Sequence, residues 1–334
     1  MSIFNENTYK RLSVIDKRPL LYSDVILNYL TKLPPIQFIK LNNSNVIITK
    51  EDAPLSALIE SRFARYDLIL NAVKLLRYKY VIKLDTHEIT VYGNKVSSIY
   101  LNHVASIISW WAKIKPQQYI ITFYLTNIKK SLPPDHRLKV LTEEYMNSGF
   151  TFIKEPSDIH IFRKEESLKV LIHELIHASK FDFNNNNLID VPVSLKDDDS
   201  SNEGITEYLA IIHYYWYIAN FIDKIDPSEQ FVDLLSNDLG WQYYQICKIL
   251  QYFDLKLCDL LDSNNFKQRT SVISYFFLKH YFFTQNSLPI ILSRNITEIN
   301  KLIRNITDYI KKCDSSPVDT NGISMRMSLY ELSY

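Results

Sequence analysis

Two patterns of hydrophobic and polar residues alternate along this chain, and their balance changes near its middle. In the first half, β-branched and aromatic stretches of period two alternate with stretches whose apolar residues recur every three or four positions. The first pattern is typical of strands and the second of helices. Strands are predicted at 80–92 (a single strand, or a hairpin turning at Asp85 and Thr86), 119–125, 150–153 and 158–162, and helices at 25–32, 55–76, 97–114 and 137–146.

The second half of the chain has almost only the helical pattern. A helix begins at Glu165 and Glu166, whose negative charges suit the positive end of a helix, and it extends to about residue 179. Residues 182–201, with four consecutive Asn and three consecutive Asp, predict a flexible loop whose charges are solvated. Further helices are predicted at 202–221, 228–236, 241–261, 268–284 and 296–312, and a short strand at 325–330.

This order of elements predicts an α+β protein in which a small mixed sheet precedes a mostly helical C-terminal part. The chain has 334 residues, 46% of them hydrophobic, which is enough for one large domain or two smaller ones. Four segments are predicted: an N-terminal α+β region at 1–130, a core with the motifs described below at 131–222, a helical region at 223–314 and a polar tail at 315–334.

Composition argues against several classes of function. The net charge is +1, from 38 basic and 37 acidic residues, so no general electrostatic attraction draws the chain to nucleic acid or to a membrane. With only 5 Gly, a glycine-rich nucleotide cradle is unfavoured. Three Cys without C-x-x-C spacing, together with an N-terminus that lacks a signal-peptide pattern, predict an intracellular protein. The longest apolar stretches, 205–222 and 272–283, contain titratable side chains and predict buried helices rather than membrane spans.

The strongest chemical signal is the run His173-Glu174-Leu175-Ile176-His177, which reads H-E-x-x-H inside a predicted helix. Four residues make about one helical turn, so both imidazoles project from one face and can hold one metal ion. Glu174 lies beside them and can reach a metal-bound water as a general base. Glu203 and Glu207, about thirty residues further along, each offer a carboxylate as third ligand. Two His and one carboxylate are a ligand set that favours zinc.

The H-E-x-x-H run and Asn202-Glu203-Gly204-Ile205-Thr206-Glu207-Tyr208 together resemble the gluzincin family of zinc metallopeptidases. In that family an Asn-Glu-Gly-x-x-x-Tyr or Asn-Glu-x-x-Ser/Asp motif follows the H-E-x-x-H helix. The resemblance covers residues 150–220 and implies a zincin-like core. By resemblance, zinc is held by His173, His177 and Glu203, and Glu174 activates the zinc-bound water for peptide-bond hydrolysis.

The same resemblance implies roles for residues around the metal. Glu207 would receive the second ring N–H of a ligand His. Strand 158–162 would be the edge strand that pairs with the substrate backbone. A downstream Tyr or His would stabilise the developing oxyanion, with Tyr275 as first choice and His280 as second. His213 points away from the face of Glu203 and is predicted to be an ordinary core or surface His.

The substrate expected from this resemblance is a protein or peptide. The chain lacks the Gly-x-Met-Glu-Asn segment of gluzincin aminopeptidases, which favours an endopeptidase. Two other functions stay open: a catalytically inactive zincin-fold protein with a structural or binding role, such as a virion component, and an intracellular effector protease. A structural zinc would be closed off by four protein ligands. Residues 147–177 also resemble uncharacterised metallopeptidase-like proteins of large DNA viruses.

Overall fold

The structure is a computed structural model, which describes residues 23–84, 86–134, 140–183, 188–189, 201–221, 225–261, 266–312 and 324–332. The chain divides into two compact units. One, called the sheet unit, consists mainly of Lys32–Lys130 and Asn147–Phe181, and the other, called the helical unit, comprises Met1–Thr31, Ser131–Met146 and Asp182–Leu332. The predicted division into four segments stays a prediction, because compact contact units are not the same as independently folding domains.

The sheet unit contains six strands in one mixed sheet, which confirms the α+β class. The strands are β1 Val46–Lys50, β2 Tyr78–Leu84, β3 His87–Gly93, β4 Tyr119–Tyr124, β5 Gly149–Phe152 and β6 Ser157–Ile161. Their order is β1-β2-β3-β4-β6-β5, with β4 parallel to both β3 and β6 and every other pair antiparallel. The strands predicted at 119–125, 150–153 and 158–162 are confirmed as β4, β5 and β6, and 80–92 forms the hairpin β2–β3. Sequence analysis missed β1, whose side chains are mostly exposed and so do not alternate in polarity.

One prediction about the sheet is wrong. The strand at 158–162 was expected to be an edge strand. It is β6, an inner strand that pairs with β4 on one side and with β5 on the other. The outer strand at this end of the sheet is β5. The reason is the short connection after Phe152, which returns the chain antiparallel to β5 and inserts β6 between β5 and β4. Any additional strand at this end would therefore pair with β5.

Helices cover both faces of the sheet. On one face, α2 Ser56–Glu60 and α3 Asp67–Val73 pack in a buried cluster with aromatic side chains of the strands, including Tyr92, Tyr124 and Phe150. On the other face lie α4 Ser98–Ile114 and α6 Ser167–Ala178, joined by a hydrogen bond from the Tyr100 hydroxyl to Ser167 Oγ (3.0 Å). Tyr100 also meets Phe123 of β4 edge-to-face. The sheet and α4 both pack against α6, and nearly all residues of α6 are buried.

The prediction of one helix at 55–76 is wrong, because two short helices form there. It is divided into α2 and α3 because Ser61 Oγ accepts a hydrogen bond from the backbone N–H of Phe63 (3.2 Å), and this local turn competes with the helix. The apolar periodicity continues across the break because both short helices bury residues in the same cluster. Periodicity therefore identified the buried face but not the interruption.

The helical unit contains α1 Ser23–Leu30, α5 Glu143–Met146, α7 Ser201–Ala219, α8 Pro227–Phe253, a 3-10 helix at Leu257–Leu261, a π-helical segment at Ser274–Leu278, α9 Lys279–Thr284, α10 Ser287–Ser293, α11 Ile296–Arg304 and α12 Ile306–Lys312. These bounds confirm the helical character predicted for this part. The predicted helices 228–236 and 241–261 are mostly one continuous helix, α8, because the connecting residue Asp238 is buried and hydrogen-bonded to Gln242 one turn later. Of the predicted helix 137–146, only α5 is helical among the residues described.

Residues Ser324–Leu332, called the C-terminal segment, do not form the strand predicted at 325–330. The segment bends at Met327 and Leu329 and contributes only an isolated bridge, between Ser324 and Ser131. Its backbone is bound by side chains instead, since Lys248 Nζ donates to Ser324 O, Gln245 Nε2 to Arg326 O and Lys279 Nζ to Met327 O, at 2.7, 2.8 and 2.7 Å. Most of its side chains are buried, so this part of the predicted polar tail belongs to the core of the helical unit.

Two predictions concern residues outside those described. Most of the predicted loop 182–201 and residues 315–323 of the predicted tail are outside the described ranges. Within the residues that the structure describes, none of the helices has the length and apolar character needed to cross a membrane.

Candidate metal centre

The helix that carries the H-E-x-x-H run is fixed at its start by buried charges. Glu166 immediately precedes α6 with a left-handed backbone (φ 58°), and its Oε2 lies 3.0 Å from Lys130 Nζ. Both side chains are essentially inaccessible to solvent. Glu165 Oε2 accepts a hydrogen bond from the backbone N–H of Lys130 (2.8 Å). The two acidic residues predicted to favour the helix start therefore also bind α6 to residue 130.

His173 and His177 lie one turn apart on α6, as the sequence predicted. Their Nε2 atoms are 3.1 Å apart, with the rings nearly perpendicular. Two nitrogen ligands at about 2.0–2.1 Å from one tetrahedral zinc ion are about 3.3–3.4 Å apart, so the observed separation suits shared coordination. His173 is buried and His177 is half-buried. The pair is thus already arranged to bind one ion.

The start of α7 is positioned by an acidic residue that sequence analysis did not single out. Asp182 Oδ2 accepts hydrogen bonds from Asn202 Nδ2 and from the Thr206 hydroxyl, both at 2.9 Å. Asn202 Oδ1 in turn accepts the backbone N–H of Phe183 (2.9 Å). The Asn and Thr of the second motif therefore hold the helix turn that carries Glu203. No local sequence signal distinguished Asp182, which stood at the start of a segment predicted to be a loop.

His173, His177 and Glu203 each offer one ligand atom, and these atoms all lie within 4.8 Å of one another. Two imidazoles and one carboxylate are the donor set of many catalytic zinc sites, and three protein ligands leave one position open for a water or a substrate. Among the described residues, these three form the one group of His, Cys, Asp or Glu side chains whose ligand atoms are close enough together to hold a metal ion. The cluster can bind a metal through the three residues that the sequence predicted.

Glu207 is fully buried on α7, and its Oε1 lies 3.7 Å from Lys279 Nζ, which is also fully buried. The lysine donates a hydrogen bond to Met327 O (2.7 Å), so Glu207 is linked through Lys279 to the C-terminal segment. A buried carboxylate needs such a countercharge, because desolvation strongly disfavours an isolated charge. The role predicted for Glu207, accepting a ring N–H of a ligand His, stays a prediction.

The two residues proposed to stabilise an oxyanion belong to neighbouring elements of the helical unit. Tyr275 is buried in the π-helical segment, and His280 is half-buried in α9. Their roles stay predictions. His213 is a core residue, as expected: it is completely buried, Nδ1 is 2.7 Å from Leu209 O and Nε2 is 2.9 Å from the Tyr29 hydroxyl. Burial lowers the pKa of His213 to about 4, so its imidazole is neutral near pH 7.

Glu174 is buried on α6, and its carboxylate lies against strand β5. The Thr151 hydroxyl donates a hydrogen bond to Glu174 Oε2 (2.8 Å). Gly149, two residues earlier on the same face of β5, leaves the space that Glu174 Oε1 occupies, because a Cβ there would be 2.9 Å from this atom. Sequence analysis missed Thr151, since the contact joins residues 23 positions apart on different elements.

Two of the three residues of this cluster, His173 and His177, share helix α6 with Glu174, and the third, Glu203, belongs to α7. Glu174 adjoins His173 in sequence, and its carboxylate is held against Thr151 and Gly149 of β5. Its predicted role as general base stays a prediction. The case for a function rests on this geometry and on the two motifs. No protein-family model, curated protein or solved structure matched the chain.

Proposed function

We propose that this protein is a zinc-dependent peptidase of the gluzincin type, acting as an endopeptidase on a protein or peptide. His173, His177 and Glu203 would hold the zinc ion, and Glu174 would be the general base. The observation that carries the proposal is the convergence of these three ligand atoms within 4.8 Å of one another. Two separate motifs predicted the same three residues from the sequence alone. If the two His lay on one helix face by chance, there would be no reason for a carboxylate of a second helix to lie beside them.

The chemistry divides between the metal and the protein. A bound zinc ion polarises the carbonyl of the scissile bond and lowers the pKa of water to about 7. Glu174 accepts the proton of the attacking water and delivers it to the nitrogen of the leaving amine. Tyr275 is the predicted hydrogen-bond donor to the oxygen of the attacked carbonyl. The short separation of the His173 and His177 Nε2 atoms supports one ion held by both rings.

The outer strand β5 supports a peptide as substrate. Phe162 N donates to Ser148 O (2.8 Å), which extends the register in which Gly149 faces Ile161. In an antiparallel pair, hydrogen-bonded and non-hydrogen-bonded pairs alternate, so the N–H and C=O groups of Gly149 and Thr151 point away from β6. These groups can bind the backbone of an extended peptide by strand addition. Thr151 also contacts Glu174, so a peptide bound there would pass close to the proposed base.

The first test measures zinc content and hydrolysis side by side. Elemental analysis of the wild-type protein should give about one zinc per chain, and His173→Ala should lose it. His103→Ala, which removes a buried His from α4, should keep the zinc. Absence of zinc from the wild-type protein after reconstitution would refute the metal site.

The second test separates metal binding from catalysis. Glu174→Gln should retain zinc and lose hydrolysis of an unstructured protein such as casein by about a hundredfold or more, because general acid–base catalysis contributes at least this factor. Glu60→Gln, the same change at an exposed position on α2, is the matched control and should keep full activity. A zinc-loaded protein that cleaves neither casein nor a broad peptide library would instead indicate a non-catalytic zinc protein.

A further inference from the structure

The carboxylate of Glu174 is constrained by two residues of β5. Thr151 and Gly149 are separated by two positions, so they lie on the same face of the strand, which is the face toward α6. Thr151 Oγ1 donates to Glu174 Oε2 (2.8 Å), while Glu174 Oε1 lies where a Cβ of residue 149 would stand. Glu174 Oε2 is therefore held by the Thr151 hydroxyl, and Oε1 packs against the backbone of Gly149.

A glutamate needs such constraints to act as a precise base. Its side chain has three rotatable bonds, and fixing it at one position costs conformational entropy on each catalytic cycle unless the fold has already done so. A hydrogen bond from a neutral hydroxyl to a carboxylate is charge-assisted and therefore stronger than one between neutral groups. Because Thr151 belongs to a strand paired with β6, its hydroxyl is positioned by the sheet rather than by a loop.

We propose that Thr151 is a positioning residue for the general base, acting through its hydrogen bond to Glu174, and that Gly149 provides the space for the base. This inference rests on the proposed peptidase function. The strand expected to bind the substrate backbone would then also orient the base that acts on it. A shift of β5 would move the substrate and Glu174 together.

Thr151 lies within reach of the Glu174 backbone as well, with its hydroxyl 3.4 Å from Glu174 O. The contact with Oε2 is 0.6 Å shorter than this one (2.8 against 3.4 Å), so the side-chain carboxylate is the principal acceptor. The side chain of Thr151 is half-buried, and valine has nearly the same shape as threonine. Thr151→Val therefore removes the donor with little change in packing, and Thr151→Ser retains the donor while removing a methyl group.

The test compares these two variants with Thr49→Val, the same change at an exposed position on β1. In the zinc-loaded protein, Thr151→Val should lower kcat for casein-derived peptides by about tenfold or more, the effect of losing one charge-assisted hydrogen bond. KM should stay unchanged, because the substrate is expected to bind the backbone of β5 and not the Thr151 side chain. Zinc content should stay unchanged, because the Thr151 hydroxyl bonds to Glu174 and not to a metal ligand. Thr151→Ser should recover most of kcat, and Thr49→Val should match the wild type.

A measurement on the metal-free protein tests the contact without relying on activity. Thr151→Val should lower the urea midpoint of unfolding in the wild-type background, and this shift should disappear when Glu174 is already Ala. Equal shifts in both backgrounds, or full kcat in zinc-loaded Thr151→Val, would overturn the role of Thr151 while leaving the peptidase proposal intact. Loss of zinc from Thr151→Val would also overturn it, since the effect would then be structural. A zinc-loaded wild type without hydrolysis would overturn both.

Discussion

Acid should destabilise the helical unit through one buried imidazole, that of His213 on α7. The ring is completely buried, and its neutral form satisfies both nitrogens: Nδ1–H donates to Leu209 O (2.7 Å), and Nε2 accepts from the Tyr29 hydroxyl (2.9 Å). Burial disfavours the charged ring and lowers the pKa of His213 from 6.5 to about 4. A proton that binds the unfolded chain near pH 6 therefore does not bind the native one.

The size of the effect follows from this difference in pKa. Well above pH 6.5 the imidazole is neutral in both states, and His213 contributes no pH dependence. As the pH falls from 6.5 to 4, the unfolded state gains a proton that the native state cannot accept, so the free energy of unfolding decreases. One pKa unit corresponds to about 1.36 kcal/mol, which gives a loss of about 3 kcal/mol by pH 4. That is a large share of the roughly 5–15 kcal/mol that stabilises most proteins.

The assay is urea unfolding of the wild type and of His213→Gln at half-unit steps from pH 7.5 to pH 4. Glutamine keeps a donor and an acceptor but cannot take up a proton. Burial also lowers the pKa of His103 to about 4, so the wild type loses stability through both residues, and the difference between the two proteins isolates His213. We expect this difference to shrink by about 3 kcal/mol between pH 6.5 and pH 4. A difference that is constant over this range would refute the reasoning.

Three further changes have expected outcomes in the helical unit. Gly204→Ala would place a methyl group 2.7 Å from Leu278 Cδ2, and an overpacking cost of about 1–3 kcal/mol should exceed the gain of about 1 kcal/mol in helix propensity, so urea unfolding should show a net loss of stability. Burial lowers the pKa of Lys248 to about 8, against 10.5 for an unperturbed lysine. Between pH 8 and pH 10.5 the unfolded state therefore binds more protons than the native state, so the free energy of unfolding should rise with pH over this range. Lys248→Met should remove that rise in the same urea assay. Lys279→Met removes the countercharge of Glu207 and should cost about 3–5 kcal/mol, seen as a lower Tm, and an unchanged Tm would contradict the buried ion pair.

The helices that carry the candidate site could be predicted from sequence because each combines a strong local pattern with a chemical motif. In α6, H-E-x-x-H places both imidazoles one turn apart whatever surrounds the helix. In α7, Glu203 follows Asn202, whose side chain is hydrogen-bonded where the helix begins. Apolar periodicity over a dozen residues or more is enough to identify such helices.

The contacts that adjust the site could not be predicted, because they join residues that are distant in sequence. Thr151 reaches Glu174 from a strand, and Asp182 receives hydrogen bonds from residues 20 and 24 positions away. The order of the strands also depends on the whole sheet, so the outer strand was assigned to β6 instead of β5. The C-terminal segment was predicted to be a polar tail with a short strand. Its backbone is instead bound by side chains such as Lys248, and no local sequence pattern reveals such contacts.

The C-terminal segment has a consequence for folding during synthesis. All the main stretches of the sheet unit have been made once Phe181 is added to the chain, whereas most of the helical unit is still to be synthesised. The helical unit also needs Ser324–Leu332, whose backbone fills donor and acceptor sites on α8 and α9. At about 5–20 residues per second, the ribosome takes roughly 8 to 30 s to pass from residue 181 to residue 332. During this interval the apolar surfaces of α7 and α8 lack part of their covering, so this region of the nascent chain is where a chaperone is expected to bind.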